Sequence, residues 1–130
     1  MGYELGLKVL VLSLAVVAVA GIRPSKLQQV PAMFVLGDST LDVGNNNYLP
    51  GKDVPRANKP FYGVDLPGSG KPTGRFSNGY NTADFVAKTL GFDKSPLAYL
   101  QLKAHNKLIP SAITRGVSYA SAGAGILDST

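Results

Sequence analysis

The sequence has no cysteine. Small secreted domains with modest cores usually rely on disulfides, so a fold built from these 130 residues takes its stability from elsewhere. There is no Asn-x-Ser/Thr acceptor, and no two basic residues are adjacent, although the formal net charge is +5. A nucleic-acid footprint gathers its bases on one face or helix. Here the lysines and arginines are scattered singly, as on a solvated surface, and no nucleic-acid partner is expected. No apolar run is long enough to cross a membrane either. The apolar stretch 9–20 is 12 residues long, against the roughly 20 that a spanning helix needs. It fits the core of a signal peptide, roughly 7–15 residues, and Ala18-Val19-Ala20 supplies the small-x-small cleavage signal. The expectation is a signal peptide over 1–20, secretion to the extracellular space and no stable membrane span after cleavage; an uncleaved anchor would have to bury Lys8. Residues 21–130 are enough for one small domain.

Three familiar ligand signatures fail on inspection. The stretch Gly68-Ser69-Gly70-Lys71 has Asp65 where a phosphate loop needs its first glycine, and Pro72 where it needs a hydroxyl. Gly123-x-Gly125 has Asp128 where a dinucleotide fingerprint needs its third glycine. The acids and amides between Asp42 and Asp53 do not keep calcium-loop spacing. No metal and no cofactor are expected.

What the chain does have is Ala32-Met33-Phe34-Val35-Leu36, an unbroken apolar run that predicts a strand buried on both faces within a parallel sheet. Gly37 stops it, and Asp38, Ser39 and Thr40 follow. The Ser39 hydroxyl therefore sits just past a strand end, where open α/β sheets place ligands and reactive groups. A helical turn beginning there would surround it with free N–H groups and the positive end of a helix dipole, a setting that stabilises an oxyanion. On these residues alone, an ordinary N-cap or turn competes with that chemistry. The full wording, Phe34-Val35-Leu36-Gly37-Asp38-Ser39-Thr40-Leu41-Asp42-Val43-Gly44-Asn45-Asn46, resembles the first conserved block of the GDSL esterase/lipase family, the plant-type branch of the SGNH hydrolases. The resemblance puts Ser39 in the nucleophile position, with Asp38 and Asp42 as supporting residues.

Residues 44–79 read as one long loop, punctuated by Pro55, Pro60, Pro67 and Pro72. Within it, Phe61-Tyr62-Gly63-Val64-Asp65 and Pro72-Thr73-Gly74-Arg75-Phe76-Ser77-Asn78-Gly79 are similar to the loop that precedes the family's next helix. Arg75 reads as a buried guanidinium holding loop carbonyls in preference to a substrate contact. A helix is predicted over 81–91. Asn81 or Thr82 caps it, Asp84 lies in its first turn, Gly91 ends it, and Ala83, Val86, Ala87 and Leu90 form a face that covers the sheet. A weaker helical or irregular segment follows over 95–108, with Pro96 and Pro110 at its ends. His105 lies there in a polar surface stretch and is not expected to pair with Ser39. In the family the base belongs to an Asp-x-x-His motif near the C-terminus, which this sequence does not contain.

The stretch 113–127 repeats the opening pattern, a β-rich run ending in Ala122-Gly123-Ala124-Gly125. Small residues at a strand end let a backbone N–H approach a substrate oxygen. The stretch resembles the family's second block, whose glycine region donates to the oxyanion hole, and Gly125 and Gly123 are the candidates. Ser118 stands where an asparagine is usual, so side-chain support of this loop is in question.

Taken together, the resemblance implies an α/β fold of the flavodoxin-like, three-layer SGNH type with a parallel sheet, incomplete in this chain. It also implies a secreted serine hydrolase acting on carboxylic esters, small-molecule or lipid. The chain reaches Thr130 before the family's Gly-x-Asn-Asp and Asp-x-x-His blocks. It therefore reads as the N-terminal part of a longer hydrolase, without the triad Asp and His or the oxyanion Asn, and inactive by itself. The alternatives are a non-catalytic secreted binding or regulatory remnant and a membrane-anchored interaction protein.

Overall fold

The structure, a computed structural model, describes residues 30–127, so the signal peptide expected over 1–20 lies outside the described residues. Two short strands, β1 (Met33–Val35) and β2 (Gly116–Ser118), pair in parallel, with Met33 opposite Gly116 and Val35 opposite Ser118. Parallel neighbours need a long crossover. This one carries a 3-10 helix (Asn45–Tyr48) and three α-helices, α1 (Thr82–Thr89), α2 (Tyr99–Ala104) and α3 (Leu108–Thr114). Pairing runs on past the strands: the Tyr119 N–H donates to the Val35 carbonyl at 2.7 Å, and the Ser121 N–H to the Gly37 carbonyl at 3.0 Å. On the other flank of β2, the Ser118 N–H donates to Leu97 at 2.9 Å, beside an isolated parallel bridge to Ala98.

β2 is thus the inner strand, and all three of its residues are buried. β1 is an edge among the described residues. Val35 is buried and clusters with Ala83 of α1 and Ala120, with Met33 and Leu41 against them. Phe34 is 54% and Leu36 76% exposed, which corrects the expectation of a strand buried on both faces. An apolar run is covered on both sides only where both sides have neighbours, and here one side of β1 has them.

α1 begins as its sequence predicts. The Asn81 side chain accepts the Asp84 N–H at 3.1 Å and the Asp84 carboxylate accepts the Asn81 N–H at 2.8 Å, a reciprocal capping box. Gly91, at φ 90°, follows its end. The predicted apolar face is only half covered: Ala83 and Ala87 are buried, whereas Val86 and Leu90 stay open. The weak segment over 95–108 resolves into α2 and the start of α3. Pro110 lies inside the first turn of α3, where its missing N–H breaks no helical bond. Ile113 and Thr114, read as strand, complete that helix.

Arg75 is buried as expected, but its partner is Asp84 and not the loop carbonyls. Nη1 donates to Oδ2 at 2.6 Å and Nη2 to Oδ1 at 3.3 Å, so the long loop is tied to the first turn of α1.

Gly116 opens β2 at φ 90°, and a Cβ there would overlap the backbone of Met33 across the ladder. Substituting alanine therefore combines a disfavoured backbone angle with a steric clash. The expected cost is more than about 1 kcal/mol, measured as a lower urea midpoint of Gly116→Ala in the full-length protein.

Candidate active site

Ser39 lies on a turn just beyond β1, closed by the Leu41 N–H donating to the Asp38 carbonyl at 3.2 Å. The Asp38 carboxylate shapes this turn, accepting the Thr40 hydroxyl at 2.7 Å and the Thr40 N–H at 2.9 Å through one oxygen. Those two bonds, the hydroxyl's first, hold the exposed Asp38 carboxyl below the usual carboxylate range. Ser39 is left half-buried, and neither its hydroxyl nor its N–H has a partner among the described residues.

Among the described residues a single turn, and no α-helix, starts at Ser39, so no helix dipole is aimed at its hydroxyl. The next regular element is the 3-10 helix Asn45–Tyr48. Its leading N–H groups are already taken, because Asp42 Oδ1 accepts Gly44 N–H at 2.7 Å and Asn45 N–H at 2.8 Å. Any anion beside Ser39 must therefore rely on individual free amides.

The second half of the site arrives through hydrogen bonds that sequence reading missed. Asn45 Nδ2 donates to the Ser118 and Ala120 carbonyls at 2.9 and 2.8 Å, while its Oδ1 accepts the Leu100 N–H at 2.9 Å. Asn46 Nδ2 donates to Ala122 at 2.8 Å and to Pro55 at 3.1 Å, and its Oδ1 accepts the Ser121 hydroxyl at 2.6 Å. Asp42 Oδ2 accepts the Ala122 N–H at 3.0 Å. Asp42, Asn45 and Asn46 are buried, and together they lash the segment after β2 to the segment after β1. In the sequence, the two asparagines look like turn formers. The available signal was three polar residues closely following an apolar strand, a place where buried polar groups need partners.

Ser118 contributes only its backbone to this web. Its hydroxyl is buried with no hydrogen-bond partner among the described residues, so the side chain adds no support to this loop. Gly123 and Gly125 follow Ala122 at the surface, and neither N–H has a partner among the described residues. They lie at the same end of the two parallel strands as Ser39. His105 is elsewhere engaged, with its Nδ1 2.8 Å from the Gln101 carbonyl and its ring in a T-shaped pair with Tyr48. Cavities of about 250 Å³, at Ser95, Leu97 and Arg115, and about 360 Å³, at Phe61 and Tyr62, are lined by neither Ser39 nor the two glycines. Among the described residues, no group of His, Asp or Glu side chains could hold a metal ion.

A family profile described as GDSL-like lipase/acylhydrolase matches residues 33–129, which takes in both halves of this site. The chain belongs to that family. The GDSL relatives agree. GDSL esterase/lipase At5g55050 of Arabidopsis thaliana is 47% identical over 107 residues, covering 81% of this chain and 28% of its own length. GDSL esterase/lipase At5g18430 of the same plant is 44% identical over 99 residues, 76% of this chain and 25% of its own. GDSL esterase/lipase At4g28780, also from that plant, is 38% identical over 122 residues, 93% of this chain and 31% of its own. The chain thus spans between a quarter and a third of the length of these curated GDSL relatives. No solved structure matches.

Proposed function

We propose that Ser39 is the nucleophile of a secreted serine ester hydrolase that cleaves carboxylic esters of small molecules or lipids. The observation that carries this reading is a free, half-buried hydroxyl past the end of β1, flanked by the glycine turn that the Ser121-to-Gly37 hydrogen bond holds alongside it. In this reading the Ser39 oxygen attacks the ester carbonyl carbon and its proton passes to a base. The carbonyl oxygen becomes an oxyanion that accepts hydrogen bonds from the Ser39 N–H and from Gly123 or Gly125. Collapse of the tetrahedral species expels the alcohol, which takes up the proton, and water then cleaves the acyl-enzyme by the same steps.

The base, its carboxylate partner and an asparagine donor are assigned to chain outside these 130 residues, within a three-layer flavodoxin-like fold that the β1–β2 pair begins. Membership of the family and the names of the relatives support this reading. Cleavage after Ala20 would release the enzyme to the extracellular space.

The test is turnover of p-nitrophenyl esters by the full-length protein, alongside Ser39→Ala. Turnover that disappears in the variant supports the reading, and turnover that survives excludes Ser39 as nucleophile. A correctly folded protein that turns over no ester would favour the non-catalytic alternative.

A further inference from the structure

The geometry points to Asn46 as a positioning residue that aims the Gly123 N–H at the oxyanion; this rests on the reading of Ser39 as nucleophile. The Ala122 carbonyl and the Gly123 N–H belong to the same planar unit, and in a trans peptide they point in opposite directions. The Ala122 carbonyl is pulled inward by Asn46 Nδ2 at 2.8 Å, and Asn46 is 1% exposed. The Gly123 N–H on the same plane must therefore face away from the buried asparagine, toward the surface, where it meets no partner among the described residues.

The anchor is fixed from three further directions. Asp42 Oδ2 accepts the Ala122 N–H at 3.0 Å, so the peptide on the other side of Ala122 is held too. The Ser121 hydroxyl donates to Asn46 Oδ1 at 2.6 Å, and the Pro55 carbonyl accepts from Nδ2 at 3.1 Å. Two carbonyls on the nitrogen and a hydroxyl on the oxygen leave only one way for the amide to face. Among the described residues Gly125 has no comparable anchor, since Ala124, the residue before it, donates its N–H to the Ser121 carbonyl at 3.0 Å and makes no hydrogen bond to a buried side chain. Between the two glycines, Gly123 is the one whose N–H is preorganised. A donor held in place before reaction costs no reorganisation when charge develops, which is the condition for strong oxyanion stabilisation.

The test compares Asn46→Asp and Ser121→Ala with wild type in the full-length protein. Asn46→Asp keeps the shape and the acceptor and deletes the donor to Ala122. Its kcat for p-nitrophenyl esters is expected to fall on the order of 100-fold with little change in KM. Affinity for a boronic acid that forms a tetrahedral adduct on Ser39 should fall in parallel. Ser121→Ala removes only the hydroxyl that orients the Asn46 amide, and a loss of about tenfold in kcat is expected on the same grounds. An unchanged kcat per folded molecule in either variant, with only the melting temperature lowered, overturns the inference. Where Asn46→Asp does not fold, Ser121→Ala decides alone. Wild-type activity that resists Ser39→Ala would instead overturn the reading beneath it, so the two failures are distinct.

Discussion

Ser39→Ala is expected to lower kcat for ester hydrolysis on the order of 10⁴-fold or more while leaving the fold intact. The two halves of that expectation have separate causes. The hydroxyl forms no hydrogen bond among the described residues and is half-buried, so its removal orphans nothing and leaves no sealed cavity. A change of that kind is usually within about 0.5 kcal/mol of neutral. The rate loss follows because no other group in the turn can form the acyl-enzyme. Asp38, its neighbour, is engaged by Thr40 through both the hydroxyl and the N–H. Thr40 directs its own hydroxyl to that carboxylate. Near-wild-type kcat in the variant, or a large drop in urea midpoint, would count against the assignment of this serine as a free nucleophile.

The largest stability effect is expected at Arg75. Replacing it with methionine keeps much of the side-chain volume but leaves the Asp84 carboxylate, which is 0% exposed, without its cation. Removing one partner of a buried ion pair costs about 3–5 kcal/mol, and the urea midpoint of the full-length protein should move accordingly. The size is tempered by what Asp84 keeps: the Asn81 N–H at 2.8 Å, and the Ser95 N–H and hydroxyl at 2.9 and 2.8 Å.

The pH dependence distinguishes a lost charge partner from lost packing. Burial pushes the Asp84 carboxyl up, but the Asn81 and Ser95 hydrogen bonds and the Arg75 charge outweigh it and hold it below its ordinary value. A depressed carboxyl contributes stability that is complete above the unfolded value, about 3.9, and is lost as pH falls through the folded value. In Arg75→Met the folded value rises. The deficit relative to wild type should therefore be full near neutrality and shrink as pH falls through the variant's raised value toward the wild-type one. A deficit that stays constant through that range would mean that Arg75 acts through packing alone.

Both effects bear on what could be read from the residues alone. The capping box of α1 was legible because Asn81 and Asp84 lie three apart, and the interaction is local. The strand at Met33–Val35 and the placement of Ser39 just past its end were legible for the same reason. The Arg75 pair was only half legible: burial could be inferred from a Pro- and Gly-rich loop, but the choice of Asp84 over loop carbonyls depends on how that loop folds onto the helix. The Asn45 and Asn46 braces were not legible. Their partners Ser118, Ala120 and Ala122 lie more than 70 positions away, and a local reading of Asn-Asn-Asn can propose only a turn. The exposure of Phe34 and Leu36 was hidden likewise, because an apolar run does not say which of its faces finds a neighbour.

The most direct measurement is the position of a covalent mark. A fluorophosphonate probe, which reacts with activated serine hydroxyls, should label the full-length protein with loss of esterase activity. Tandem mass spectrometry should then place the adduct on Ser39, in the tryptic peptide that begins after Lys26 and ends at Lys52. An adduct on another residue in an active preparation, or complete inactivation with Ser39 unmodified, would contradict the account.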